Sequence, residues 1–451
     1  MLEAARQTLK TLEPRRITGT VASIRGLSIL VDDLPLPIGA QVSIVSDDGR
    51  RDPLRGEVIG FDAGRSIVML FSMASGIAPG RRVVGEQAAQ TISVGASMLG
   101  RIVNGHGCPI DGGPPLLETI PRPLNPPPLS ALQRRRIREP IATGVRVIDG
   151  MLTIGKGQRI GIFSGPGVGK STLVASIARN TSATVNVIAL VGERGREVGE
   201  FIDEALGPEG RARSIVVVAT SDESPLMRVR AALAATTIAE YFRDTGADVM
   251  LMMDSVTRFA QAQRQIGLTV GEQPATKGYT PSVFAMLPQL LERAGSIQDA
   301  GSITGLYAVL VEGDDMNEPV SDAARGVLDG HLTLSRRLAA RGHFPAVDVL
   351  DSISRVADDV CDETHVAARR HLVSLLAAYA EAEELITIGA YAPGSNPACD
   401  VMIRIKDDVD AFLRQERSER ADYPETCRHL VELLARSIAA TEPNQAPAGR
   451  G

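Results

Sequence analysis

The chain has 451 residues, 44% hydrophobic and 23% charged, with a formal net charge of -6. That length exceeds what one hydrophobic core usually organises, so two or three domains are expected, and the ordinary composition excludes a disordered or low-complexity chain. The acidic balance argues against a general nucleic-acid binder.

Four cysteines, Cys108, Cys361, Cys399 and Cys427, show neither CxxC spacing nor a companion histidine cluster, and read as free thiols of a reducing compartment. No basic-then-apolar leader opens the sequence, and no apolar run approaches the ~18 residues that span a bilayer. A cytoplasmic protein is expected.

Before Ile17, the residues Leu2, Ala5, Leu9 and Leu12 recur at roughly helical spacing, as in a short amphipathic segment left free to dock a partner. From Ile17 to about Val84, short runs such as ITGTVASI, LSILV, AQVSIV, GEVIGF and SIVMLF alternate with Gly, Asp and Pro clusters. That pattern predicts a small β-barrel of five or six strands. Between Glu118 and Arg138 the chain is Pro-rich and then basic, with Arg134, Arg135, Arg136 and Arg138, and reads as a covering linker with a solvated charge run. After Gly157, apolar runs (RIGIF, NVIALV, SIVVVA, DVMLMMD, LYAVLVE) alternate with helical stretches such as STLVASIARN and EVGEFIDEAL. This predicts an α/β fold, a parallel sheet with helices on both faces and ligands at the carboxyl ends of its strands. From about Val356, helical periodicity returns in DETHVAARRHLVSLLAAYAEAEELI and DDVDAFLRQERSE. The expected divisions are a docking segment at 1–16, a barrel at 17–90, an α/β domain with its linker at 91–355, and a helical domain with a flexible tail at 356–451.

Ser164, Gly165, Pro166, Gly167, Val168, Gly169, Lys170, Ser171 and Thr172 join an apolar strand to a helix, the setting of a phosphate-binding loop. Glycines at 165, 167 and 169 let backbone amides turn toward phosphate oxygens. Lys170 is expected on the β- and γ-phosphates of ATP and Ser171 on Mg2+. The strict pattern has glycine where this chain has Ser164. Asp254 ends the apolar run Val249 to Met253, where a carboxylate can hold magnesium through water. Glu193 ends another strand-like run and can polarise the attacking water; Arg194 beside it is expected to add charge stabilisation or to orient Glu193.

These motifs, with GERGREVGEFI, DSVTRFAQAQRQI, GEQPATKGYTPSVFAMLPQLLERAG and the stretch Pro345 to Ser354, resemble the catalytic subunits of rotary ATP synthases and their export-ATPase relatives. The resemblance implies that Arg355 projects into a neighbouring subunit's site and that Phe344 stacks on adenine. Glu193 stands where non-catalytic rotary subunits carry Gln, and ELITIGAYAPGSNPACDVMI replaces the acidic loop of the ATP-synthase subunit. The chain thus looks like the flagellar or type III secretion export branch, with GAY and GSNP more similar to the flagellar enzyme than to the injectisome one. That likeness implies ATP hydrolysis by a homohexameric ring at the periphery of the inner membrane. Its implied partners are a stator-like regulator at the N-terminus, an export gate, a stalk and chaperone-substrate complexes, with no nucleic acid. A ring RNA translocase shares the core but needs stacking aromatics. The barrel offers only Phe61 and Phe71. A ring scaffold without activity would not need Lys170, Glu193 and Asp254.

Overall fold

The computed structural model describes residues 17–45, 53–72, 76–87, 90–311, 315 and 318–441. The expected docking segment at 1–16 and the tail after 441 lie outside the described residues.

Strands β1 (Thr18–Arg25), β2 (Ser28–Asp32), β3 (Gln41–Ile44), β4 (Leu54–Asp62), β5 (Arg65–Leu70) and β6 (Arg82–Gln87) close into an antiparallel barrel in the order β1-β2-β5-β4-β3-β6. Their β-branched residues alternate inward, and Val21, Ile29, Val31, Val42, Val58 and Val68 fill a core of the barrel's own. Closure leaves no exposed strand edge.

Beyond the barrel run β7 (Thr91–Val94), β8 (Ile102–Asn104) and β9 (Ile120–Pro123). The Pro-rich stretch is more than a linker: β9 pairs with β7, and Leu124 is 1% exposed in the main core. The arginine run is partly structural too, because the Arg134 guanidinium donates to the carbonyls of Glu292 and Ala294 and Arg136 pairs with Asp359 at 3.0 Å.

The main sheet contains β10 (Arg159–Ser164), β11 (Val185–Glu193), β12 (Ser214–Thr220), β13 (Asp248–Asp254), β14 (Gly295–Ser296), β15 (Ser302–Leu310), β16 (Gly330–Leu334) and β17 (Val347–Ser354). Its order is β17-β16-β10-β15-β13-β11-β12-β8, parallel except for β17, with β14 antiparallel on β15. The helices are α1 (Arg146–Met151), α2 (Lys170–Asn180), α3 (Gly195–Glu200), α4 (Gly207–Ala212), α5 (Pro225–Asp244), α6 (Val256–Thr269), α7 (Pro281–Leu291), α8 (Pro319–Val327), α9 (Arg336–Ala340), α10 (Ala357–Val360), α11 (Glu363–Thr387), α12 (Pro397–Leu413) and α13 (Tyr423–Ala439).

Each central strand is apolar on both faces because each face meets its own core. Val187, Ala189 and Val191 join a cluster with α5 to α7, whereas Ile188 and Leu190, one position off, join a cluster with α1 and α2. That second cluster continues through Leu372, Met402, Phe412 and Leu430 of α11 to α13, so the C-terminal helices share a core with the helix that follows the phosphate loop.

One helical expectation is met with an irregularity and one is corrected. EVGEFIDEAL is helical only in part as α: a π-helical turn, Phe201–Leu206, interrupts it. In DDVDAFLRQERSE the helix stops at Leu413, because the Gln415 N–H turns to the Phe344 carbonyl at 2.9 Å while its side chain binds the Arg146 N–H and the Gly144 carbonyl. Tertiary hydrogen bonds override helix propensity there. Among the described residues no helix is long and apolar enough to cross a membrane.

Candidate active site

Strand β10 lies between β15 and β16 in the middle of the sheet and delivers its chain end, Ser164, to the loop. Ser164 is still in register with Leu310 and Leu334, and its carbonyl accepts from the Val311 N–H. It is the last residue of a strand rather than part of a turn, so glycine is not required there. The turn proper uses Gly167 and Gly169, at φ 78° and 90°, a region open to glycine at little cost. Gly169 caps α2, whose first N–H groups have no acceptor within the helix. Loop and helix start together form an anion cradle. Val168 is buried and anchors the loop, Pro166 and Ser171 are exposed, and Thr172 is half-buried.

Three elements bring charge together behind this cradle. The Lys170 ammonium hydrogen-bonds the Asp254 carboxylate and lies 3.9 Å from Glu193. Asp254 and Glu193 leave the ends of adjacent parallel strands, β13 and β11, which is why residues so distant in sequence share one lysine. Their side chains are 6% and 19% exposed. Burial pushes the Glu193 carboxyl up to about 7, with repulsion from Asp254 adding to the rise and Lys170 opposing it. A carboxyl group titrating near neutrality is suited to accept a proton.

The donor set fits a hard divalent cation. Ser171 and Asp254 offer oxygens, and no cluster of three or more His, Cys, Asp or Glu residues among the described residues could cage a metal alone. Mg2+ is typically held this way, by one or two protein oxygens, water and phosphate.

Phe344 is 41% exposed, and its ring stands 3.6 Å from where a Cβ on Gly169 would project. An open aromatic face thus adjoins the cradle, as base stacking requires. Arg194 is not brought into the cluster: it is 78% exposed and pairs with Glu197 in the first turn of α3 at 3.0 Å. Its expected role at Glu193 has no counterpart in this geometry. Arg355 is also apart, exposed at the far end of the sheet, with its N–H bonded to the Asp329 carbonyl.

Two arginines escaped the sequence reading. Arg258, one turn into α6 after Asp254, lays its stem on Gly192 beside Glu193. The guanidinium of Arg336 covers Gly165 so closely that a Cβ there would come within 2.5 Å of it. The position of Arg258 one helical turn after the strand-ending Asp254 was a signal that could have been used; Arg336 reaches the loop only through the fold.

Comparison with known proteins agrees with this geometry. Residues 144–354 match the ATP synthase alpha/beta family, nucleotide-binding domain, and residues 361–432 match the T3SS EscN ATPase C-terminal domain. The flagellum-specific ATP synthase of Treponema pallidum is 49% identical over 96% of both chains. The type 3 secretion system ATPase of Xanthomonas euvesicatoria is 44% identical over 94% of this chain and 96% of its own. The assembled ATPase EscN of enteropathogenic E. coli superposes with a TM-score of 0.86 at 42% identity, covering 92% of this chain and all of that one.

Fold and site together define a P-loop ATPase built on the ATP synthase alpha/beta plan. Within that class, the chain belongs to the family of flagellum-specific ATP synthases and type III secretion ATPases.

Proposed function

We propose that this protein hydrolyses ATP as a homohexameric ring that powers or assists protein unfolding and export through a flagellar apparatus. The observation that carries the reading is the convergence of Lys170, Glu193 and Asp254 on one cradle beside the open ring of Phe344. In this mechanism the loop amides hold the phosphates and Phe344 stacks on the base. Glu193, relieved of its proton, accepts one from the attacking water, while Lys170 swings from Asp254 to the γ-phosphate and offsets charge that develops there. Ser171, and Asp254 through water, would hold a divalent cation such as Mg2+, which would supply further neutralisation of the phosphate oxygens when bound. Arg355 completes the site of the adjacent subunit.

The solved relative EscN is described both as an assembled ATPase and in complex with its central stalk EscO. Those assemblies support a ring with a stalk partner for this chain. The proposed place of that ring is the cytoplasm, against the inner membrane. An export gate, chaperone-substrate complexes and a stator-like regulator docked on residues 1–16 complete the proposed set of partners. Deleting the gene tests the destination: loss of secreted filament protein, restored by the wild-type gene and not by Lys170→Ala, is expected. Intact filaments with loss of needle-type secretion would move the protein to the injectisome branch.

A further inference from the structure

Strands β10 and β16 run parallel with Ser164 opposite Leu334, so the residues that leave their ends stay neighbours. Gly165 begins the phosphate loop, and Arg336, two positions past Leu334, opens α9. The Arg336 guanidinium lies so close to Gly165 that a Cβ built there would stand 2.5 Å from a terminal nitrogen, 2.7 Å from Nε and 3.0 Å from Cζ. The planar group therefore lies along the glycine rather than pointing a single atom at it.

Neither residue is explained by its own element. Gly165 does not share the left-handed backbone of Gly167 and Gly169, so its φ does not call for glycine. Arg336 occupies the first position of α9, where a cation is the less favoured charge and no side chain caps the helix. Each accounts for the other: the missing Cβ makes a seat, and the guanidinium fills it. The seat is also held from behind, because Arg337 and Arg341 both bind the Glu383 carboxylate of α11, at 2.8 and 2.6 Å, and so tie α9 to the C-terminal helices. The chain then returns to the loop through Phe344, whose ring adjoins Gly169. Residues 336 to 344 thus touch the phosphate loop at both of its ends.

We propose that Arg336 is a positioning residue for nucleotide: its guanidinium, seated on Gly165, fixes the first turn of the phosphate loop in the form that receives the phosphates of ATP and ADP. The inference rests on the reading of this loop as the nucleotide site. Arg336 acts through the loop rather than on the reacting atoms, so it sets nucleotide affinity in ground state and transition state alike and leaves the chemical step to Lys170, Glu193 and Asp254.

Full-length chains are titrated with N-methylanthraniloyl-ADP in the presence of Mg2+, and ATP hydrolysis is followed in parallel. Arg336→Ala is expected to weaken binding of the probe and to raise KM for ATP about tenfold, a scale typical of residues coupled by contact, with kcat within about twofold of wild type. Gly165→Ala is the informative partner. Its methyl group suits the backbone and expels the flexible arginine, so this variant should match Arg336→Ala, and the double variant should be about tenfold weaker than wild type rather than about a hundredfold. Arg336→Lys, which keeps the charge and loses the planar group, should stay near Arg336→Ala. Arg337→Ala removes the same charge from the same helix and leaves Arg341 on Glu383, so it should bind the probe as wild type does. Thermal transitions check that each variant folds. Wild-type affinity in Arg336→Ala, losses that multiply in the double variant, full recovery in Arg336→Lys, or an equal loss in Arg337→Ala would each overturn the proposal. A wild-type chain that does not bind the probe defeats the site reading itself, whereas a wild type that binds beside an unaffected Arg336→Ala defeats this inference alone.

Discussion

Lys170 and Arg355 stand at opposite ends of β10. Lys170 follows the strand's chain end, whereas the Arg355 N–H bonds the carbonyl of Asp329, whose carboxylate grips Arg159 at the strand's first position at 3.0 Å. Arg159 to Ser164 spans about 16 Å at roughly 3.3 Å per residue. Arg355 therefore does not serve the phosphate loop of its own chain, and any site it completes belongs to another copy.

Lys170→Ala is expected to reduce ATP turnover by about 10²-fold or more, the scale on which a single electrostatic contact to a transition state acts. The lysine fills no apolar core, so circular dichroism should be unchanged and the melting temperature close to wild type. Turnover within a few-fold of wild type would show that the cradle is not the hydrolytic site.

Glu193 makes the enzyme sensitive to pH. Its carboxyl is pushed up to about 7 in the folded chain, against an ordinary value of 4.5. The folded state thus holds this proton more tightly, so the group's contribution to stability is full below pH 4.5 and is lost as pH rises to about 7. Catalysis runs the other way, because a base must be deprotonated. The value of kcat/KM, which reports the free enzyme, should rise through a limb near pH 7 while thermal stability declines slightly over the same window. Glu193→Gln should bind ATP and stall. A kcat/KM flat from pH 5.5 to 8 would remove Glu193 as the base.

The legible parts of this protein were those encoded locally. The phosphate loop, Asp254 and Glu193 each end or follow an apolar strand, and spacing alone places them. The barrel followed from β-branched runs between turn residues. What stayed hidden depends on packing between distant segments. The helix signal in RQERSE yields to the hydrogen bonds of Gln415, Arg194 has a nearer carboxylate in Glu197, and His365 and Cys427 meet only once α11 lies beside α13.

A buried ion pair between the barrel and helix α5 gives a stability test. Glu57 of β4 and Arg230 of α5 are 5% and 4% exposed, with 3.7 Å between their charged atoms. Burial pushes the Glu57 carboxyl up to about 7, against the pull of Arg230 and a hydrogen bond from Gln90. Arg230→Ala strands that carboxyl and should cost about 3–5 kcal/mol, seen as a lower denaturation midpoint. Adding Glu57→Gln to that variant should recover part of the loss, because no buried charge remains. A double variant no more stable than Arg230→Ala would mean that packing, rather than charge, dominates this contact.

The position of Arg355 yields the test that separates a ring from a self-contained enzyme. If one site draws Lys170, Ser171, Glu193 and Asp254 from one chain and Arg355 from the next, each chain alone is incomplete. An arginine supplied across an interface is worth about 10³ to 10⁵ in phosphoryl transfer, so Arg355→Ala should be nearly inactive at every concentration. The specific activity of wild type should climb with protein concentration as rings assemble. Mixing inactive Lys170→Ala with inactive Arg355→Ala builds some interfaces at which an intact Lys170 meets a neighbour's intact Arg355. Those mixtures should regain part of the wild-type rate. A mixture as inactive as its components, with mixed rings demonstrated by differential tagging, has two explanations: Arg355 does not act in trans, or firing requires every site. A chain carrying both substitutions, titrated into wild type, decides between them. A fall in proportion to the fraction of double-variant chains would leave sites firing independently and so rule out action in trans, whereas an abrupt fall at low fractions of the double variant would mark a concerted ring.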